Sequence, residues 1–286
     1  MNRVRSISFI GAGALAGGLA KSLYAQGFVI AEIVARDAPI SKRKARALAS
    51  SVGAVLATVA NAKLTCDVLW LAVPDGAVEG VSRVLAGRAE LPRVILHASG
   101  ALSSGALAAL AERGVHTGSA HPMMTFVGGE PPSLNGAWFA VEGSAAAVRA
   151  ARTMARKLGA HSFVIEPGSK MLYHAFGAML SPMLAAELEA AERVGLRAGI
   201  SAGEVRRIME PIVLRTVKNV LRSGAGQSFS GPLVRGDVDT VAGHLRSLGG
   251  SPESLVYRAL MEYATGTLPV NRKDEMRKLL REKSES

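Results

Sequence analysis

Lys170 and His174 stand at i and i+4, a spacing that puts both side chains on one face of a helix. They fall in the first turns of a long helical pattern, where the helix dipole opposes positive charge. A partly buried Lys170 in that place would hold its proton less tightly and could exchange it with a substrate. The alternative is a solvated lysine beside a packed histidine. Upstream, three strand ends carry polar or turn-forming residues: Val73-Pro74-Asp75, His97-Ala98-Ser99-Gly100 and Ser119-Ala120-His121-Pro122. In open α/β sheets the carboxyl ends of the strands line the ligand crevice. Ser99 and His121 are therefore candidates for substrate contact, and Val73, Pro74 and Asp75 for the cofactor side. His97 lies inside its strand and reads as a hydrogen-bonded structural histidine. Later in the chain, Asp237 is explained as a helix N-cap. Arg235, two residues before it, has no such structural role and is a candidate for holding a substrate carboxylate or the cofactor.

A second group of residues has the form of a phosphate-binding turn. Gly11-Ala12-Gly13-Ala14-Leu15-Ala16 follows the β-favouring run Ser6–Ile10 and opens a helical stripe of Leu15, Leu19 and Leu23. A glycine at 11 permits a tight turn, one at 13 lets the backbone approach a pyrophosphate, and a small Ala16 allows close helix–strand packing. The free N–H groups of the helix start then face the phosphates. Cofactor choice rests on the end of the second strand, Val29–Ala35, which is followed by Arg36. NAD-binding versions place an acid there for the ribose hydroxyl. An arginine instead offers a planar donor fork to a 2′-phosphate, so NADP(H) is expected. Asp37 is the competing feature, since it would serve an NAD ribose if the register shifted by one residue.

Positioning these groups requires an alternation of strands and helices. Strands are expected over Cys66–Val73, Arg93–Ala98, Val115–Ala120, Ala137–Val141 and His161–Ile165, with helices over Val78–Leu85, Ser103–Glu112 and Ala145–Leu158. Cys66–Val73 is continuously apolar, as in a parallel strand buried on both faces. The rhythm changes at Pro167, after which no strand is expected. Helices are read over Lys170–Arg197, disturbed at Pro182, then over Ala202–Leu221, Asp237–Leu248 and Pro252–Ala264. The expected fold is α/β, a doubly wound, mostly parallel Rossmann sheet over residues 1–166 followed by an all-α domain over 167–286.

Composition narrows the functional classes. Of 286 residues, 49% are apolar and 20% charged, which is ample for a buried core and excludes a disordered chain. Cys66 is the single cysteine, so neither an intrachain disulfide nor a thiolate metal cluster can form; a cytoplasmic location and no metal are expected. The apolar stretches Ala47–Ala62 and Met171–Ala186, which carry no Asp, Glu, Lys or Arg, are shorter than a membrane span. Arg3 and Arg5 before an apolar run mimic a secretory leader, but the dinucleotide turn explains the same residues better. The net charge of +11 invites a nucleic-acid reading. Its clusters contain no interleaved aromatics, the tail from Arg272 to Lys283 alternates with acids, and the densest early cluster, Arg36 to Arg46, lies where a 2′-phosphate would sit. No nucleic-acid or membrane partner is expected.

Taken together, Gly11-Ala-Gly13, Leu71-Ala-Val-Pro-Asp75, His97-Ala-Ser-Gly100, His121-Pro122 followed by Thr125-Phe126, Tyr173-His174 and Gly231-Pro-x-x-Arg-Gly-Asp237 resemble a bacterial family with a Rossmann-like domain followed by a DUF2520 domain. The resemblance runs to about residue 262 and is similar in layout to pyrroline-5-carboxylate reductase and the 6-phosphogluconate dehydrogenase-like enzymes. It implies an NADP(H)-dependent oxidoreductase acting on a small carbonyl or imine, with a homodimer built through the helical domain. Lys170 or His174 would exchange the proton, and His121, Ser99 and Arg235 would position the substrate. A non-catalytic NADP-binding sensor or scaffold is the alternative, and a coenzyme F420-dependent NADP oxidoreductase a further one. The chain departs from related dehydrogenases where an asparagine on the long helix is replaced by Pro182 or its neighbour Ser181.

Overall fold

A computed structural model describes residues 4–127 and 131–281. It forms two compact units, the first ending at Met179 and the second beginning at Leu180. The first unit runs β1 (Ser6–Ile10), α1 (Ala14–Ala25), β2 (Val29–Ala35), α2 (Pro39–Ser51), β3 (Val55–Thr58), β4 (Val68–Leu71) and α3 (Asp75–Ala86). It continues with β5 (Val94–His97), a 3-10 turn (Ser104–Leu107), α4 (Ala108–Ala111), β6 (His116–Met123), β7 (Trp138–Gly143), α5 (Ala145–Lys157), β8 (His161–Val164) and α6 (Lys170–Ala178). The sheet order is β3-β2-β1-β4-β5-β6-β7-β8. Every neighbouring pair is parallel except β6–β7. The strand order reverses between β1 and β4, which is where ligands bind in doubly wound sheets.

The sheet is covered on both faces. Phe9, Leu19, Leu23, Ile33, Trp70 and Met154 belong to one buried cluster, with Phe9 and Trp70 stacked at 6.0 Å between ring centres. Ile10, Val34, Leu69, Leu71, Val78, Leu85 and Leu110 form the other. Alternate residues of β1 and β4 thus feed opposite layers, as period-2 side chains must. The apolar run Cys66–Val73 yields a shorter strand than expected, because only Val68–Leu71 has backbone partners in both β1 and β5. Strand β3 had no legible signal: four residues at the sheet edge, with Val55 exposed and Ala57 buried, show little alternation.

The second unit is helical among its described residues: α7 (Leu184–Arg197), α8 (Ala202–Ser223), α9 (Ala225–Ser228), α10 (Pro232–Arg235), α11 (Val238–Leu248), α12 (Pro252–Thr267) and α13 (Lys273–Arg281). Its own core joins Leu233, Val241, Leu245, Ala264, Val270, Met276 and Leu280. The disturbance read at Pro182 is a π-helical turn over Met179–Met183. Proline has no N–H to donate, so the regular ladder must give way there. The change of rhythm at Pro167 and the change of packing do not coincide. Helix α6 is compact with the sheet, because Lys170 and Tyr173 are buried and bonded to strand-end residues.

Candidate functional site

The phosphate-binding turn has the geometry its glycines suggested. Gly11 has φ +111°, and a Cβ there would stand 2.2 Å from the Ala72 carbonyl oxygen. Its N–H donates to Val34 O at 2.9 Å, so the turn is pinned between β2 and the end of β4. Around Gly13 a Cβ would meet nothing within 4 Å. Gly13 is also the N-cap of α1, and no side chain caps that helix. Its first N–H groups, on Ala14 and Leu15, are therefore available to an anion. Ala16 is buried in the core cluster beneath, the small contact between helix and sheet that the fingerprint requires. Ala12 lies beside this open space, and Val73 reaches within 3.5 Å of where a Gly11 side chain would be. Pro74 is the N-cap of α3 and Asp75 its first acidic residue.

Just past the end of β2, Arg36 is exposed, and among the described residues its side chain has no ion-pair partner. Asp37, the competing carboxylate, is held in an ion pair by Lys42. Of the two side chains at this position, Arg36 is the one with no ion-pair partner among the described residues. These residues fit a dinucleotide carrying a 2′-phosphate.

The second cluster forms where β5, β6 and α6 meet. Lys170 is 1% exposed. Its Nζ donates to the Ser99 carbonyl oxygen at 2.8 Å and to Ser119 Oγ at 2.7 Å, and Ser119 Oγ donates to the same carbonyl at 3.2 Å. The Tyr173 ring centre lies 5.9 Å from Nζ, within cation–π range. Among the described residues no carboxylate is within ion-pair distance of Lys170. Burial lowers its pKa to about 8, against the opposing pull of Glu142 and Asp75.

Around it the histidines divide by role. His97 Nδ1 accepts from Ser99 N–H at 3.2 Å, so Nε2 carries the proton and donates to Ser103 O at 3.0 Å. Burial pushes its pKa down to about 4. This is the structural histidine expected from its place in the strand. His121 Nδ1 is 3.0 Å from the Tyr173 hydroxyl. Burial and the neighbouring Lys170 charge lower its pKa to about 3, so it is neutral at pH 7, while burial raises the Tyr173 phenol to about 12. His174 is exposed, with its ring 6.3 Å from that of His121. Both pack on Gly100, where a Cβ would stand 2.7 Å from His174 Cδ2 and 3.0 Å from His121 Nε2.

The structure therefore brings together Lys170, His174, His121 and Ser99. Ser99 is an inward-facing member: its Oγ accepts from the N–H groups of Ala101 and Leu102 at 3.1 and 2.9 Å, and its carbonyl anchors Lys170. Arg235 lies in the second unit and is corrected in one respect. Its Nε donates to Asp237 at 2.7 Å, and the Asp237 side chain makes no cap bond to α11. The two residues explain each other, and the capping role given to Asp237 does not hold. Ser119 and Tyr173 complete the cluster. The part of Ser119 depends on Lys170, 51 residues away, and nothing local announces it, whereas Tyr173 stands three residues after Lys170 on the same helix.

The fold is a Rossmann-like sheet followed by a helical C-terminal region. Residues 6–96 match the family model described as NADP oxidoreductase coenzyme F420-dependent, and residues 137–264 match the domain of unknown function DUF2520. The resemblance drawn from the motifs is upheld by both. No curated protein matches the chain. Among solved structures, a protein of Bacteroides fragilis provisionally named as an NADP oxidoreductase is 22% identical, covers 90% of this chain and 96% of its own, and superposes with a TM-score of 0.75. A reductive aminase from Aspergillus terreus, solved with NADPH and ethyl-5-oxohexanoate, is 20% identical over 96% of this chain and 99% of its own, with a TM-score of 0.66. A pyrroline-5-carboxylate reductase from Coxiella burnetii is 17% identical over 97% and 95%, with a TM-score of 0.58. At these identities the likeness is one of fold.

Proposed function

We propose that this chain is an NADP(H)-dependent oxidoreductase that moves hydride to or from a small carbonyl or imine substrate, with Lys170 handling the accompanying proton. The observation that carries this reading is the burial of Lys170 against two neutral oxygens at the strand ends. A buried ammonium without a direct counter-ion is costly, and a fold has no need of one. Groups perturbed in this way cluster at functional sites. The match of residues 6–96 to an NADP oxidoreductase model and the exposed Arg36, with no ion-pair partner among the described residues, support the cofactor.

When bound, the nicotinamide supplies or accepts the hydride. The chain's own residues do the rest. Gly11, Gly13 and the start of α1 hold the pyrophosphate, and Arg36 takes the 2′-phosphate. Lys170, with a pKa of about 8, is protonated at neutral pH and close enough to its pKa to give up or regain a proton. His174 stands on the exposed side of the cluster and His121, held neutral, forms its wall. Gly100 keeps the two rings close.

Purified protein would be mixed with NADPH and a panel of small aldehydes, ketones and cyclic imines, following nicotinamide absorbance. Turnover that is abolished in Lys170→Met supports the reading. Tight NADPH binding without any turnover would instead support a sensor or scaffold. The match of residues 6–96 to coenzyme F420-dependent NADP oxidoreductases favours one further arm, a deazaflavin of the F420 type offered as hydride partner in place of the carbonyl.

The second unit supports a homodimer. Exposed apolar side chains lie on both sides of α8, Ile208 and Ile212 on one and Leu214 and Leu221 on the other, each 54–82% exposed, and a second copy would cover apolar surface of this kind. No helix among the described residues is long and apolar enough to cross a membrane.

A further inference from the structure

Glu142 is 2% exposed on β7. A buried carboxylate must be compensated by hydrogen bonds and by charge. The hydrogen bonds come from one residue: Ser104 N–H donates to Oε1 at 2.6 Å and Ser104 Oγ donates to Oε2 at 2.7 Å. Among the described residues no cation is within ion-pair distance of Glu142. The β-ladder shows where the compensating charge lies. His97 of β5 pairs with Ser119 of β6, and Ser119 pairs with Glu142 of β7. All three are buried polar residues in one row. Direct cross-strand partners project to the same face with Cβ atoms about 4.5–5.5 Å apart. Ser119 Oγ, the next group to Glu142 in that row, is the acceptor of Lys170 Nζ.

The loop closes the arrangement. Ser104 lies five residues after Ser99, whose carbonyl is the other acceptor of Lys170. Glu142 thus grips the far end of the loop whose near end grips Lys170.

We infer that Glu142 is a positioning residue for Lys170: through Ser104 it fixes the Ser99–Ser104 loop, and across Ser119 its charge holds Lys170 in the ammonium form. The proposal rests on the reading of Lys170 as the proton-handling group. Other groups facing Lys170 are Asp75 from α3, His97 from β5, His121 from β6 and Tyr173 from its own helix. His97 and His121 are neutral near pH 7 because burial disfavours their charged forms. Glu142 and Asp75 are thus the acids that oppose the desolvation of Lys170, with Glu142 the stronger.

The test needs no substrate. In protein carrying carbon-13 lysine, the Lys170 Cε signal, assigned by its absence in Lys170→Met, reports its protonation directly. Glu142→Gln keeps groups that can bond Ser104 but loses the charge. It is expected to lower the Lys170 titration by about one pH unit, a tenfold weaker hold on the proton. Glu142→Asp is expected to recover most of that shift, and Ser104→Ala, which keeps the charge but loosens the loop, to move the titration less than Glu142→Gln does; a larger shift in Ser104→Ala than in Glu142→Gln would overturn the role given to the charge. An unchanged Lys170 titration in Glu142→Gln overturns the proposal.

If Glu142→Gln fails to fold, a double-mutant cycle with Lys170→Met decides. Folding restored by Lys170→Met, or a Glu142→Gln cost at least tenfold smaller in that background, supports the coupling. Equal cost, or failure in both backgrounds, overturns it. Because no readout is turnover, a protein that proves inactive on every substrate would sink the oxidoreductase reading without deciding this one.

Discussion

The Nζ of Lys170 donates to the Ser99 carbonyl oxygen at 2.8 Å across 71 residues of sequence. That bond, with its companion to Ser119, ties α6 to the carboxyl ends of β5 and β6. It also defines a trade between stability and chemistry. With a pKa near 8 in the folded protein against 10.5 for free lysine, the unfolded chain holds the proton more tightly between those values. Stability should therefore rise as pH goes from 8 toward 10.5, and the full penalty applies below pH 8. Its size is on the order of 3 kcal/mol. Lys170→Met removes the buried charge at similar volume. Chemical denaturation at pH 7 should show the variant at least as stable as wild type, while turnover falls by roughly 10²- to 10⁴-fold. A large loss of stability would mean that the lysine is there for the fold.

The same pKa gives the activity profile its sign. If Lys170 donates the proton in carbonyl or imine reduction, kcat for reduction should fall as pH rises through about 8, and the oxidation direction should gain over the same range. Rates measured in both directions between pH 6 and 10 check this.

His97 and His121 govern acid stability in the opposite range. Both are held neutral in the fold, with pKa values near 4 and 3 against 6.5 when free. The unfolded chain takes up protons first, so stability is lost as pH falls below about 6.5. His97→Gln, which can still donate to Ser103 O, should flatten the fall in melting temperature between pH 6.5 and 4.5. An unaltered pH slope would remove His97 as a cause.

Two glycines of the phosphate turn should separate folding from binding. Gly11→Ala meets a carbonyl at 2.2 Å and a φ of +111° and should cost more than about 2 kcal/mol. Gly13→Ala meets nothing within 4 Å, so its melting temperature should match wild type while NADPH affinity drops. Arg36→Gln should weaken NADPH binding by about tenfold or more and leave NADH binding unchanged. Equal losses for the two nucleotides would assign Arg36 a role other than reading the 2′-phosphate.

The exposed apolar side chains of α8 are tested by charge. Ile212→Asp, at a residue 66% exposed, should convert a dimer to a monomer in light scattering without unfolding the chain. A wild type that is already monomeric would refute the dimer.

What the sequence by itself determined is local. The glycine turn, its helix start, the arginine ending β2 and the switch from strands to helices after Pro167 are all written within windows of a few residues. Within such a window, backbone sterics and hydrophobic period leave few alternatives. Short elements escaped it: β3 has four residues at an edge, and the strand at Cys66–Val73 was trimmed to the part with two neighbours. The tertiary structure alone decided the site. Whether Lys170 was a solvated lysine or a buried one depended on partners 51 and 71 residues away. Likewise, Glu142 could be matched to Ser119 only through the register of an antiparallel pair, and the pairing of Asp37 with Lys42 is visible only in the folded chain. A lysine's proton affinity is set by desolvation and neighbouring charge, and both are properties of the packed sheet ends rather than of residue type or spacing.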